Sequence, residues 1–549
     1  MKKHYKEIVK ACDKAVERLM SVTITDMDHP HYGGVLNKVE GYVTPGASIG
    51  CMLTYTPAYY NENSAYYKDD ELLTYMNRAI EYTLNIQRED GTIDLLISNF
   101  YSAPDTGFMM HNIGRVFKIM DANAKTNKEL AVKEKLLTLI QKAGEGLRDG
   151  GFHTPNHRWV EAAGLALAYN VTKDVSFKDM ALMYLAEGID IDENGEFTER
   201  SPGIYNAVND NALMILAEEL DKPELAEHAA KNLEMMFHYF EPDGSVFTQN
   251  SVRVDKGEGM PGKSFYPTNY YHIYLKAAYL KKNPRFAKMA DLIFESAKKG
   301  IAGVPGNLWL YMTVEGLSEY EPVVEELRDE FEVFFKSSNI VRARKGDFGV
   351  TLLGGSPNFL FVQIGRLRCY TRMCASFFAV AQFKANEITK TKNGYSMEFM
   401  ASGRYKWPFE TPPETNIWED MDHASRKSVN EVSLKFTIDF QIYDKSVLMD
   451  VKTEGCDRVP LKLEFCFTGG CAVDGPGFMV DGKAGNSIIV GTGEVKASLG
   501  LNEITVGPGF AEHRYAASMR GSVPKSNNDF TVYFTGFSNV EKSIEITAK

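Results

Sequence analysis

Positive charge is in short supply in this sequence. Lys and Arg total 61 against 73 Asp and Glu, for a formal net charge of -12. That balance argues against nucleic acid as a main partner, because phosphate binding needs a basic surface. A small anionic ligand in a locally basic pocket stays open. Cysteine is also scarce: Cys12, Cys51, Cys369, Cys374, Cys456, Cys466 and Cys471 are scattered, odd in number and without a CxxC pair. Free thiols in a reducing compartment are expected. No apolar run reaches the roughly 18 residues of a membrane span. The first residues, MKKHYKEIVKACDKAVERLM, are basic but have no apolar signal-peptide core. Their Tyr5, Ile8, Val9, Cys12, Val16 and Leu19 recur at helical spacing, so this segment is expected as an amphipathic helix. No membrane partner and a cytoplasmic location are therefore expected. There is no HExxH, Cys/His cluster or EF-hand loop, and no GxGxxG at a strand–helix junction. No cofactor is expected.

What is present suits two large soluble domains: 549 residues, 44 % apolar and 24 % charged. Up to about residue 335 apolar residues fall at i, i+3, i+4 and i+7. Segments 70–87, 128–147, 175–189, 209–220 and 224–240 all read as helices. Beyond it the pattern alternates and favours β-branched and aromatic residues, as in 433–453 and 461–470. An all-α domain over 1–334 and an all-β domain over 335–549 follow, with the acidic stretch 319–332 expected as a boundary helix.

The helical part repeats. Asp90-Gly91, Asp149-Gly150, Asn194-Gly195 and Asp243-Gly244 are spaced about 50 residues apart, and each leads through apolar residues into a polar loop. Each glycine is expected to close its helix in the left-handed conformation. Helix pairs at this period, with loops always at one end, describe a helical toroid whose loops line a cleft.

Those loops are the natural place for a site. They and the helix starts that follow offer Asn99, Tyr101, Asp105, His111, Asn112 and Arg115; His153, Asn156, His157 and Arg158; Glu199, Arg200 and Tyr205; and Gln249, Asn250, Arg253 and Lys256. Amides, imidazoles and guanidinium groups outnumber carboxylates, a balance that suits an anionic ligand. β-Elimination across a uronic acid needs such groups. The sugar carboxylate must be neutralised so that charge can spread into it as the C5 proton leaves. A base takes that proton and an acid protonates the departing O4. Pro155 favours a helix start, so Asn156 and His157 are expected at a helix N-terminus facing ligand. Tyr205 lies one repeat further on, within reach.

Asn156-His157 paired with Ser201-Pro202-Gly203-Ile204-Tyr205, on a helical domain followed by a β-rich one, resembles the heparinase II/III-like polysaccharide lyases and their alginate-lyase relatives. The resemblance implies an incomplete (α/α) toroid followed by an antiparallel β-sandwich that contributes to the cleft. It implies that Asn156 neutralises the carboxylate, that His157 neutralises or acts as base, and that Tyr205 is the acid/base. A further catalytic residue would come from the β domain, where His423 is favoured over His513 because charged groups and Trp418 surround it. The resemblance also admits a structural Zn or Ca in the β domain, which would draw on Asp420, Asp422 and His423. Arg158, Glu199, Arg200, His111, Arg115, Arg253 and Trp418 are the expected substrate contacts. The implied partner is an anionic oligosaccharide, short and imported given the expected cytoplasmic location, and the resemblance admits a homodimer. The implied activity is a carbon–oxygen lyase giving a 4,5-unsaturated uronate end. Two alternatives stand beside it. An (α/α)-barrel hydrolase, such as an unsaturated uronyl hydrolase, would need carboxylates such as Glu199, Asp105 or Glu161 facing the sugar. A non-catalytic carbohydrate-binding protein would need no ionisable groups in the cleft.

Overall fold

Helical periodicity up to residue 320 is realised as thirteen α-helices in the computed structural model, which describes residues 1–39, 41–256, 265–300 and 303–549. They are α1 (Lys2–Met20), α2 (Pro45–Gly50), α3 (Met52–Tyr60), α4 (Asp70–Ile86), α5 (Ala103–Asn123), α6 (Asn127–Asp149), α7 (Pro155–Thr172), α8 (Val175–Ala186), α9 (Tyr205–Glu219), α10 (Glu224–Met236), α11 (Tyr270–Lys281), α12 (Pro284–Lys299) and α13 (Leu308–Thr313). Two kinds alternate. Helices such as α1, α4 and α12 bury one stripe and keep a charged face. Helices α7, α9 and α11, rich in Ala, Leu and Tyr, are buried on nearly every side, as interior helices must be. The interior set forms a ring. α3 packs on α5, α5 on α7, α7 on α9 and α9 on α11, and α13 packs on α3 and α5. The His272 and Trp309 rings, 5.3 Å apart, join α11 to α13.

Glycine sets the spacing between neighbours in the ring. A Cβ on Gly107 would lie 2.9 Å from Val160, and one on Gly114 3.0 Å from Leu167. This register also shows that α5 and α7 run parallel, so the ring's helices start at one end and finish at the other.

The Asp/Asn-Gly turns have a different job from the expected one. They fall several residues after a helix ends and dock on a later outer helix. Gly91 (φ 88°) and Gly195 (φ 95°) would place a Cβ 1.9 Å from the Lys142 carbonyl oxygen on α6 and 2.5 Å from that of Lys231 on α10. Gly150 departs from expectation: it caps α6 in an extended conformation. The acidic stretch 319–332 also departs. Apart from a 3-10 turn at Leu317–Glu319 it is not helical, and it enters a strand at Glu330–Phe335. Pro322 and a β-branched pair, Val323 and Val324, sit among repelling carboxylates there.

The chain divides into two compact units, and the second takes up the chain from Arg328. That unit holds two sheets. One has eight strands in the spatial order 487–489, 529–537, 460–468, 367–375, 360–364, 348–353, 340–345 and 330–335. The other has nine, in the order 388–390, 395–406, 428–442, 446–455, 541–548, 502–507, 495–499, 471–475 and 478–482. All pairings are antiparallel except 487–489 on 529–537. Their inner faces share one core, where Phe359, Phe465 and Phe534 meet Phe436, Phe440 and Val451. This is a sandwich. All seven cysteines are free thiols. No helix among the described residues is long and apolar enough to cross a membrane.

Candidate active site

Helix α7 begins at Pro155, with Thr154 as its N-cap. The next two residues are therefore fixed at the loop end of the ring. Asn156 is fully buried. Its Nδ2 donates to Thr154 Oγ1 at 3.1 Å and to Glu199 Oε1 at 2.9 Å, which uses both N–H groups. This corrects the expected neutralising role: Asn156 has no donor left for a carboxylate. It holds Glu199 in place. His157 is 7 % exposed, and its Nδ1 is buried without a partner. The ring stands edge-on to His153 at 4.7 Å and to Phe108 at 6.3 Å. Burial foremost, then His153 and Arg253, lower its pKa to about 4 against the opposing pull of Asp105. His157 is therefore neutral near pH 7, suited to accepting a proton and unsuited to supplying positive charge.

Tyr205 opens α9, half-buried. The guanidinium of Arg253 lies over its ring, 4.5 Å from the centroid, while Arg253 Nη1 pairs with Glu199 Oε1 at 3.1 Å. A continuous chain thus runs from Asn156 through Glu199 and Arg253 to the phenol ring. Glu199 is buried. Burial raises its pKa, against the lowering by Asn156 and Arg253, and its Oε2 has no hydrogen-bond partner.

Asp255, which was not read from the sequence, brings the two loops together. Its Oδ1 accepts from the Ser201 hydroxyl at 2.9 Å and the Ser251 hydroxyl at 2.5 Å, and its Oδ2 accepts from the Gly203 N–H at 2.9 Å. Ser201 Oγ also accepts from the Tyr205 N–H at 3.0 Å, and Tyr270 Oη donates to the Pro202 carbonyl at 3.0 Å. The start of α9 is thereby locked to the Arg253 loop. The available signal was a lone carboxylate two residues after a candidate arginine. Arg200 adopts φ 44° in this loop, a sparsely populated conformation for a side-chain-bearing residue, and is partly buried.

Other expected contacts lie elsewhere or are occupied. His111 is buried, with Nε2 donating to the Val160 carbonyl at 2.9 Å and Nδ1 facing the Asn211 amide at 3.4 Å. Burial foremost lowers its pKa to about 3. It is a neutral helix brace, not a ligand contact. Arg115 is ten residues beyond Asp105 on α5, about 15 Å along the axis. It stacks on Trp309 at 4.0 Å, away from the loop end. Arg158 turns outward to Glu187 at 3.0 Å and Asp190 at 3.5 Å. In the second unit His423 also departs from expectation. Its Nε2 donates to the Trp418 carbonyl at 2.7 Å, and its Nδ1 accepts from Arg426 at 3.0 Å. The Trp418 ring rests on it at 4.0 Å. With both ring nitrogens occupied, His423 organises its own loop and is not offered as a base or metal ligand. Asp422 caps the same turn. His513 is likewise engaged, bonding the Leu461 and Gly536 carbonyls.

Each acid a hydrolase would need is engaged through one oxygen, Glu199 by Asn156 and Arg253. Asp105 accepts from Asn99 and Ser102. Glu161 is fully buried against Tyr184 Oη, with its pKa raised to about 7 by burial. Among the described residues, one trio has metal-ligand spacing, His4, Asp291 and Glu295. The two His4 nitrogens already meet Tyr271 and Asp291 there.

No protein-family model matches the sequence, and no curated protein matches it. Solved structures do. A xanthan lyase from Paenibacillus superposes with a TM-score of 0.62 at 10 % identity, over 98 % of this chain and 56 % of its own. This chain thus spans little more than half the length of that enzyme. A heparan sulfate lyase from Pedobacter heparinus gives 0.53 at 10 % identity, over 99 % of this chain and 87 % of its own. A chondroitin AC lyase from Streptomyces coelicolor, solved with chondroitin sulphate, gives 0.53 at 10 % identity, over 100 % and 79 %. With a helical ring whose loops gather Asn156, His157, Glu199, Tyr205 and Arg253, followed by an antiparallel sandwich, the chain has the fold of the heparinase-like polysaccharide lyases.

Proposed function

We propose that the protein is a lyase that cleaves a uronic-acid-containing glycan by β-elimination, acting on short anionic oligosaccharides. The observation that carries the reading is the placement of the Arg253 guanidinium, which covers the Tyr205 ring at 4.5 Å and is anchored by buried Glu199 at 3.1 Å. A fixed guanidinium beside the phenol offers donors to a sugar carboxylate. Arg253 takes over the neutralising role that Asn156 cannot fill. Asn156 and Asp255 act as positioning residues.

In this account Arg253 binds the uronate carboxylate. Tyr205 as phenolate, or neutral His157, removes the C5 proton. The electron pair forms the C4–C5 double bond, the C4–O4 bond breaks, and O4 takes a proton from the Tyr205 hydroxyl. The products are a 4,5-unsaturated uronate end and a free hydroxyl, with no redox partner required. The lyases that share this fold act, by their names, on xanthan, heparan sulfate and chondroitin. Acidic glycans are accordingly the substrate class to test first.

The test is a panel of uronate oligosaccharides with near-ultraviolet absorbance followed over time. A rise from the conjugated product supports elimination. New reducing ends without that rise indicate a hydrolase, and saturable binding with neither indicates a carbohydrate-binding protein.

A further inference from the structure

At the finishing end of the ring a cavity opens between α5, α9, α11 and α13. It holds about 40 Å³ and is lined by Arg115, Lys118, Asn211, Glu218, His272 and Trp309 among others. It lies about three helical turns of α5 beyond Asp105 and shares no lining residue with the Asn156–Tyr205 site.

Its charges do not cancel. Lys118 pairs with Glu219 and, at 3.8 Å, with Glu218; Lys276, which also lines the cavity, pairs with Glu218 at 2.6 Å. Asn170 adds a hydrogen bond to Glu219 Oε2 at 2.9 Å. Two ammonium groups thus answer two carboxylates, and Arg115 is left over. Its Nη2 donates to Asn211 Oδ1 and its plane lies 4.0 Å over Trp309. No carboxylate among the described residues comes within ion-pairing distance of it. The guanidinium has five N–H donors, and one is used. Neighbouring His272 adds no charge: Nε2 donates to Asn211 Oδ1 at 3.2 Å, Nδ1 is buried without a partner, and burial depresses its pKa strongly. A partly buried cation with no carboxylate beside it gains from a counter-charge, and stacking on an aromatic ring offsets only part of its lost hydration.

We propose that this cavity is a binding site for one small, singly charged anion of the size of formate, held by the guanidinium of Arg115. The volume decides the size: one water needs roughly 10–15 Å³ of such cavity space, so about 40 Å³ takes about three non-hydrogen atoms, the number in formate. The excess of a single positive charge decides the valence. The planar fork of guanidinium favours a carboxylate or a similar planar oxyanion. Occupancy would tie α5 to α9, α11 and α13 at the end of the ring opposite the loops.

The test is a titration of the full chain with sodium formate. Ionic strength is held constant with sodium gluconate, whose anion is too bulky for the cavity. Thermal midpoint and tryptophan emission are both followed. The expected result is a saturable rise in Tm of a few degrees with a parallel emission change from Trp309. Glu218→Gln adds one net positive charge and should tighten formate binding at least about threefold. Arg115→Lys keeps the charge but loses the fork, and should weaken binding about tenfold. Absence of saturation in the wild-type protein overturns the proposal, as does unchanged or weaker binding in Glu218→Gln. That arm decides the matter even if Arg115→Lys does not fold.

Discussion

Replacing Arg253 by Met tests the electrostatic chain at its middle link. In the wild-type protein Arg253 neutralises Glu199, whose side chain is 3 % exposed. Removing one partner of a buried pair costs about 3–5 kcal/mol when the remaining charge must stay ionised. Glu199 has an escape, because burial already raises its pKa and only Asn156 would then be left to hold it down. In Arg253→Met the carboxyl should therefore remain protonated in the native state. Its folded pKa lies above the unfolded one, so the native form retains a proton that the unfolded chain releases. Stability is then full below the unfolded pKa and falls as pH rises, by up to about 1.4 kcal/mol per pH unit. At pH near 5 the variant should lose about 1 kcal/mol, mainly the contact with the Tyr205 ring. At pH near 8 the loss should reach about 3 kcal/mol. Urea denaturation of variant and wild type at the two pH values measures the difference. Adding Glu199→Gln should recover most of the alkaline loss. A loss equal at both pH values, or no recovery in the double variant, would refute the reasoning.

Other expectations follow from the same structure. His157, with its pKa lowered to about 4 from 6.5, stays neutral where the unfolded chain's histidine protonates, so it weakens the fold as pH falls through that window. His157→Gln should reduce the acid loss of stability by about 3 kcal/mol, read from urea midpoints at about pH 7 and pH 4. Gly195→Ala should destabilise by about 1–3 kcal/mol, because φ 95° and a Cβ 2.5 Å from the Lys231 carbonyl oxygen both oppose it. Asp255→Asn should leave the fold largely intact but lower kcat by tenfold or more, since one oxygen that accepts from Ser201, Ser251 or Gly203 becomes a donor. Arg158→Ala should leave KM unchanged, because its guanidinium is committed to Glu187 and Asp190.

Periodicity carried most of the fold. Helical and alternating apolar patterns are backbone-scale signals, and helices near 70–86, 127–149 and 175–186 emerge where their apolar stripes fall. The order of helical ring and sandwich was legible for the same reason. The segment 319–332 was not, because its polar, acidic composition scores as a helix face while Pro322 and the paired valines disfavour one. Site residues were harder. A sequence places Asn156 and His157 at a helix start, but which way each amide hydrogen is spent depends on Glu199, reached from another loop. The same limit hid Asp255, whose partners span fifty residues of chain. Arg115 and His111 were misread because they follow the loop by too many helical turns to face it. His423 was misread because its neighbours in sequence, Trp418 and Arg426, are themselves its bonding partners.

The claim that Tyr205 moves the protons is tested most directly by Tyr205→Phe, with turnover and affinity measured on the same uronate oligosaccharide. The phenol hydroxyl carries the chemistry, while the ring keeps its contact with Arg253. Turnover should therefore fall by at least about a thousandfold with Kd within about threefold of wild type. A variant that keeps most of its rate of unsaturated-product formation would contradict the account.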